Sequence, residues 1–189
     1  MITVDNKRSA LLVMDFQTTI LPRLGDSAAP LLERTAGLVA AARNAGVPIL
    51  YVVVGFRPGY PELNHKNEAF AMVSKAGLFV VTTPGADVAP ALAPREGDVV
   101  IVKHRVSAFA GTDLDMILRA KGIDTLVLAG IATSGVVLST VRHAADADYK
   151  LVVVKDCCGD ADDEVHRVLT EKVFVRQTTV TTAGEIAYG

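Results

Sequence analysis

The chain has 189 residues, 50% of them hydrophobic and 21% charged, with a formal net charge of -2. That length suits one domain with a substantial core, and the apolar share excludes a disordered or fibrous chain. Lys and Arg are spread along the chain without forming a basic patch, so neither nucleic acid nor a membrane is an expected partner.

The N-terminal stretch MITVDNKRSALLVMDFQ holds one short apolar run broken by Asp15. It lacks the longer apolar core and small-residue cleavage site of a signal peptide. No run approaches the roughly 18 apolar residues of a spanning helix. Residues 9–16 (SALLVMDF) read as a buried strand. Helical spacing follows over 30–44, with Leu31, Leu32, Thr35, Leu38, Val39 and Ala42 on one side. Gly46 and Pro48 separate that helix from a second strand at 48–54 (PILYVVV). Residues 55–97 hold most of the prolines and read as an irregular insertion, the kind of segment that forms the wall or lid of a site.

A third strand is predicted at 98–103 (DVVIVK), then a helix at 113–120 with Thr112 suited to its N-cap and Gly122 to its C-terminal stop. Strands at 124–130 (DTLVLAG), 150–154 (KLVVV) and 178–182 alternate with helices at 134–148 and 162–173. The strands are nearly continuous in apolar residues, as parallel strands covered on both faces are. The expected fold is therefore a three-layer α/β/α, Rossmann-like domain over residues 1–189, with a six-stranded, mainly parallel sheet. Such sheets bind ligands beyond the carboxyl ends of their strands, which directs attention to Asp15, Lys103, Gly130 and the Asp-Cys-Cys run ending at Cys158.

Asp15 follows LLVM at a strand end, where a carboxylate is costly unless paired or used. It suits either a proton-transfer group or a loop-binding residue. Lys103 closes the run VVIVK; it can reach back to solvent, or pair with Asp15 in a low-dielectric cleft and move a proton. Residues 130–149 (GIATSGVVLSTVRHAADADY) pass through a glycine-containing turn into a helix whose first amides lack internal partners. That arrangement suits an oxyanion as well as an ordinary β-α turn. Neither GxGxxG nor GxxxxGK[ST] occurs, which sets aside a nucleotide-binding reading.

In this order and spacing, LLVMDFQ, VVIVKHRVSAF and GIATSGVVLSTVRHA resemble the three signature segments of the isochorismatase-like hydrolase superfamily, across about residues 9–182. In its cysteine-dependent members, which include nicotinamidase and N-carbamoylsarcosine amidase, an Asp, a Lys and a Cys form the catalytic set. The resemblance assigns Asp15 and Lys103 to the first two places. The nucleophile stands seventh in G-[IV]-x-T-x-x-C-V, and counting from Gly130 puts Val136 there, a residue with no nucleophilic atom. The resemblance also implies a non-proline cis peptide at Ile131–Ala132 and amides of Ala132 and Val136 aimed at a substrate oxygen. Self-association as a homo-oligomer is a further implication.

Ser134 is expected to cap the following helix, with Ser139 one turn inside it. Cys157 and Cys158 are adjacent, poorly placed to bridge each other, and expected to be buried bystanders. That cysteine usage suits a reducing compartment, so the expected location is the cytoplasm. The nicotinamidase branch resembles an Asp with two His in the loop after the second strand; here that loop offers only His65, while His104, His143 and His166 are scattered. Neither a metal nor another cofactor is expected. Phe16, Gln17, Phe56, Arg57, Arg105 and Phe109 are candidate pocket residues, with Arg57 or Arg105 as a carboxylate anchor; packing or surface charge explains each equally well.

The leading expectation is a hydrolase of a small-molecule substrate that uses Asp15 and Lys103 as acid-base groups without a covalent thiol step. Isochorismatases proper carry glycine at the cysteine position and resemble an acid-catalysed vinyl-ether hydrolase, although Val136 is bulkier than glycine. The alternative is a catalytically inactive relative that binds a small acid or amide.

Overall fold

The apolar runs pair side by side in a computed structural model that describes residues 1–189. The strands are β1 (Ile2–Val4), β2 (Ser9–Met14), β3 (Ile49–Val54), β4 (Val99–Lys103), β5 (Thr125–Ile131), β6 (Lys150–Gly159), β7 (Thr179–Thr181) and β8 (Ile186–Tyr188). The helices are α1 (Ala28–Asn44), α2 (Glu68–Lys75), α3 (Leu114–Ala120), α4 (Leu138–Asp146) and α5 (Asp163–Val168). Six strands form one sheet in the order β4-β3-β2-β5-β6-β7, and every pairing in it is parallel, where the sequence suggested only a mainly parallel sheet.

Period-two alternation divides the core between the two sheet faces. Leu11 and Val13 of β2 join Leu31, Leu38 and Val39 of α1 on one face. Ala10, Leu12 and Met14 join Leu114, Leu118, Val141 and Ala144 of α3 and α4 on the other. Both faces are dry, which is why the strand sequences look continuously apolar. The helical side read for α1 is the buried one, except that Leu32 is only partly covered.

The strand order reverses beside β2. The chain runs from β2 through β3 to β4, then returns to place β5 against the opposite edge of β2. A crevice opens at the carboxyl ends where such a reversal occurs. Gly130 permits the close approach there: a Cβ at that position would lie 3.0 Å from Val137 Cγ2 and 3.2 Å from the Met14 carbonyl oxygen.

Several local expectations change. The insertion between β3 and β4 contains α2 and a short turn of helix at Pro90–Leu92. β6 runs on to Gly159 after a register shift between Leu128 and Gly130 of its neighbour, so Cys157 and Cys158 lie inside a strand. β1 and β8, short and unremarked in the sequence, pair with each other in a separate parallel ribbon. The 134–148 helix begins instead with a wide turn at Thr133–Val137, and α4 proper starts at Leu138. The Ser134 side chain caps nothing; its backbone N–H donates to Asp160 Oδ2 at 2.7 Å.

Candidate active site

β2 ends at Met14, and Asp15 takes a left-handed backbone conformation with φ of 61°. Asp tolerates this region better than most residues. Its N–H still donates to Val52 O at 2.8 Å, which ties the turn to β3. Two strands away, Lys103 closes β4 and extends its amine to Asp15 Oδ2 at 2.9 Å. The same Nζ donates to Arg105 O at 3.1 Å. Side-chain exposure is 7% for Asp15 and 2% for Lys103, so the lysine does not reach solvent.

Burial raises the Asp15 carboxyl to about 6, with the charge and hydrogen bond of Lys103 opposing that rise. Desolvation thus outweighs the attraction of a neighbouring cation. Asp15 Oδ1 is buried and has no hydrogen-bond partner. A lysine ammonium carries three donors, and two are placed here. One acceptor and one donor are left over at the same point.

That point is the floor of a cavity of about 390 Å³, lined in part by Asp15, Lys103, Ile131, Ala132 and Val136. The Ile131–Ala132 peptide is cis. Ala132 O accepts from Gly135 N at 3.1 Å and Val137 N at 3.3 Å, which folds the turn on itself. Phe70 and Val73 of α2, with Phe79, supply one wall, so the insertion after β3 does form part of the enclosure. Ile20, Arg23 and Leu24, from the short helical turn after β2, supply another.

The segments read from the sequence as LLVMDFQ, VVIVKHRVSAF and GIATSGVVLSTVRHA meet here at the carboxyl ends of β2, β4 and β5, with β3 lying between β4 and β2. Residues 9–185 match the model of the isochorismatase domain. The chain belongs to the isochorismatase family of hydrolases. It is 34% identical over 188 residues to the isochorismatase family protein YecD of Escherichia coli O157:H7, covering 98% of each chain. Against the maleamate amidohydrolase of Pseudomonas putida KT2440 it is 32% identical over 167 residues, covering 85% of this chain and 76% of that one. A cysteine hydrolase from Pseudomonas syringae pv. phaseolicola 1448A superposes with a TM-score of 0.89 at 26% identity, covering 96% of this chain and 92% of that chain.

Within this family framework, the remaining pocket candidates fall outside the cavity lining. Phe16 and Phe56 are core residues of the α1 face, and Phe109 packs on the other face with its ring stacked on His143 at 4.8 Å. Beyond the left-handed turn at Asp15, Phe16 points into the core and Gln17 clamps β3: its amide donates to Val54 O at 2.9 Å and accepts from Val54 N at 2.8 Å. Arg57 is exposed and sits 3.3 Å from Glu62 Oε1. Arg105 donates to His104 O at 2.6 Å and to Glu62 O at 3.1 Å.

Cys157 and Cys158 are both buried. Burial, reinforced by the Asp156 charge, pushes the Cys157 thiol up to about 12. Cys158 is raised as well, again by burial first. Neither lines the cavity. No three His, Cys, Asp or Glu side chains converge to form a metal-binding group. No helix is long and apolar enough to cross a membrane.

Sequence reasoning missed Arg23 and Asp160, both of which line the cavity. Asp160 lies just beyond β6 and receives the Ser134 amide, and its strand-end position was legible once β6 was extended past Val154. Arg23 carried no signal, since it stands in a loop-like stretch whose path only the tertiary structure defines.

Proposed function

We propose that this cavity hydrolyses a small substrate by acid-base catalysis at Asp15, positioned by Lys103, with no covalent thiol step. The observation that carries the proposal is Asp15, a cavity-lining carboxylate paired with an ammonium through one oxygen and left with its other oxygen, Oδ1, buried and without a partner. An unpaired buried acceptor costs about 1–3 kcal/mol, and a bound water or substrate would recover that cost.

For an amide substrate the steps balance as follows. Ionised Asp15 takes a proton from water as the water oxygen bonds to the carbonyl carbon. The amides at Ala132 and Val136 receive the developing oxyanion. The C–N bond then breaks, Asp15 returns the proton to the leaving nitrogen, and an acid and an amine result. For a vinyl ether, protonated Asp15 supplies the first proton instead. A carboxyl held near 6 has both forms available close to neutrality. The donor of Lys103 that Asp15 and Arg105 leave free orients the water or the substrate oxygen.

Val136 takes the place that the family resemblance gives to the cysteine, and the two thiols of the chain are buried away from the cavity. These features support chemistry without a covalent intermediate. They equally favour a second reading, in which the cavity binds a small acid or amide and turns nothing over. A panel of isochorismate, maleamate and small primary amides separates the two. Turnover of one of them that falls at least about a hundredfold in Asp15→Asn supports catalysis, since positioned proton transfer contributes about 10²–10⁴-fold. The same substrate should be lost in Lys103→Ala. Absence of turnover across the panel, or turnover untouched by either substitution, contradicts the catalytic reading.

A further inference from the structure

The floor of the cavity is internally matched, Lys103 against Asp15, and the walls are mostly apolar: 12 of the 18 lining residues are hydrophobic. Two charged residues remain, Asp160 and Arg23. Asp160 is already engaged, with Oδ2 accepting from Ser134 N at 2.7 Å and Oδ1 from Asp162 N at 3.5 Å. It holds the turn in place.

Arg23 differs. It stands in the helical turn Leu21–Ser27, next to Leu24, which is 8% exposed and packs into the core of the α1 face. Its own N–H donates to Ile20 O at 3.1 Å. The backbone of Arg23 is therefore anchored through Ile20 and the adjacent Leu24, while its side chain makes no hydrogen bond and no ion pair, is exposed to solvent and contributes to the cavity lining. The other arginines near this end of the sheet are committed elsewhere, Arg57 beside Glu62 and Arg105 to two carbonyl oxygens.

A planar fork of donors at the rim of an apolar cavity matches a carboxylate, which it can hold through two parallel hydrogen bonds. Pockets of this kind use a few polar groups to fix the orientation of a mainly apolar ligand. We infer that Arg23 is the carboxylate-recognising residue of this cavity, so that the site takes a compact molecule with an apolar body and one carboxylate held at the rim. The end remote from that carboxylate then reaches the Asp15–Lys103 floor, and this last clause rests on the catalytic reading above.

Calorimetric titration with benzoate and with benzamide, isosteric probes that differ in charge, tests the inference without requiring turnover. Wild-type protein should bind benzoate, and Arg23→Gln should weaken that binding about tenfold while leaving benzamide affinity unchanged. Arg23→Lys, which keeps the charge but not the fork, should fall between them. Because Arg23 is exposed, raising ionic strength from about 0.02 M to about 0.5 M should weaken benzoate but not benzamide. Arg23 is exposed, so its replacement spares the core. Equal benzoate affinity in wild type and Arg23→Gln, an equal loss for benzamide, or no saturable benzoate binding overturns the inference. A loss of activity in Asp15→Asn bears on the chemistry alone and leaves this binding result standing.

Discussion

Replacing Lys103 with methionine should make the stability of the protein depend on pH in a way the wild type does not. In the native protein the Asp15 carboxyl titrates at about 6, against an ordinary value of 3.8. A folded state that holds its proton more tightly than the unfolded chain loses stability as pH rises between those values, and loses no more above the upper one. The interval from 3.8 to about 6 corresponds to about 3 kcal/mol at 1.36 kcal/mol per unit. Without Lys103, the charge and hydrogen bond that oppose desolvation disappear, and the carboxyl titrates higher still. Asp15 then remains protonated through neutrality while the unfolded chain has released that proton. The stability gap between wild type and Lys103→Met should be constant below about pH 6 and widen by about 1.4 kcal/mol per pH unit above it, reaching about 3 kcal/mol near pH 8. A constant offset of about 1–3 kcal/mol comes from the lost hydrogen bond to Arg105 O. Urea unfolding followed by circular dichroism at about pH 5, 6, 7 and 8, with unchanged m-values, measures this gap. A gap that stays level across that range would show that Lys103 is not what keeps Asp15 ionised, and the reasoning would fail.

Two further outcomes are expected. Iodoacetamide should leave Cys157 and Cys158 unmodified in the native protein and label both in urea, as mass spectrometry would read, because both thiols are buried and shifted upward; rapid native labelling contradicts their placement inside β6. Gln17→Ala should cost about 2 kcal/mol or more in unfolding free energy, since it strips the buried Val54 N–H and C=O of their partner; a change below about 0.5 kcal/mol contradicts the clamp.

The parts of this site that lie on regular strands were legible in the sequence. Asp15 and Lys103 each end an apolar run, and the strand-end rule for parallel sheets carried both to the crevice where they meet at 2.9 Å. What strand periodicity cannot encode is what happens one residue later. The left-handed turn at Asp15 sends Phe16 into the core and turns Gln17 onto β3, so proximity in sequence to the carboxylate did not make either a pocket residue. Arg57 and Arg105 were reasonable anchors by composition, but each is held by a neighbour from the same insertion. The walls come from α2 and from the turn containing Arg23, segments whose placement depends on packing across the sheet rather than on local pattern. The extension of β6 through Cys158 escaped notice because a register shift and a mid-strand charge at Lys155 interrupt its apolar run.

The pH dependence of kcat/KM for whichever panel substrate is turned over speaks most directly to Asp15 as the proton-transfer group. For an amide, the profile should rise through an inflection near 6 to a plateau, as the carboxylate form accumulates, and should be unchanged by prior iodoacetamide treatment. A profile level through that region, or activity abolished by alkylation, would place the chemistry on another group and contradict the account.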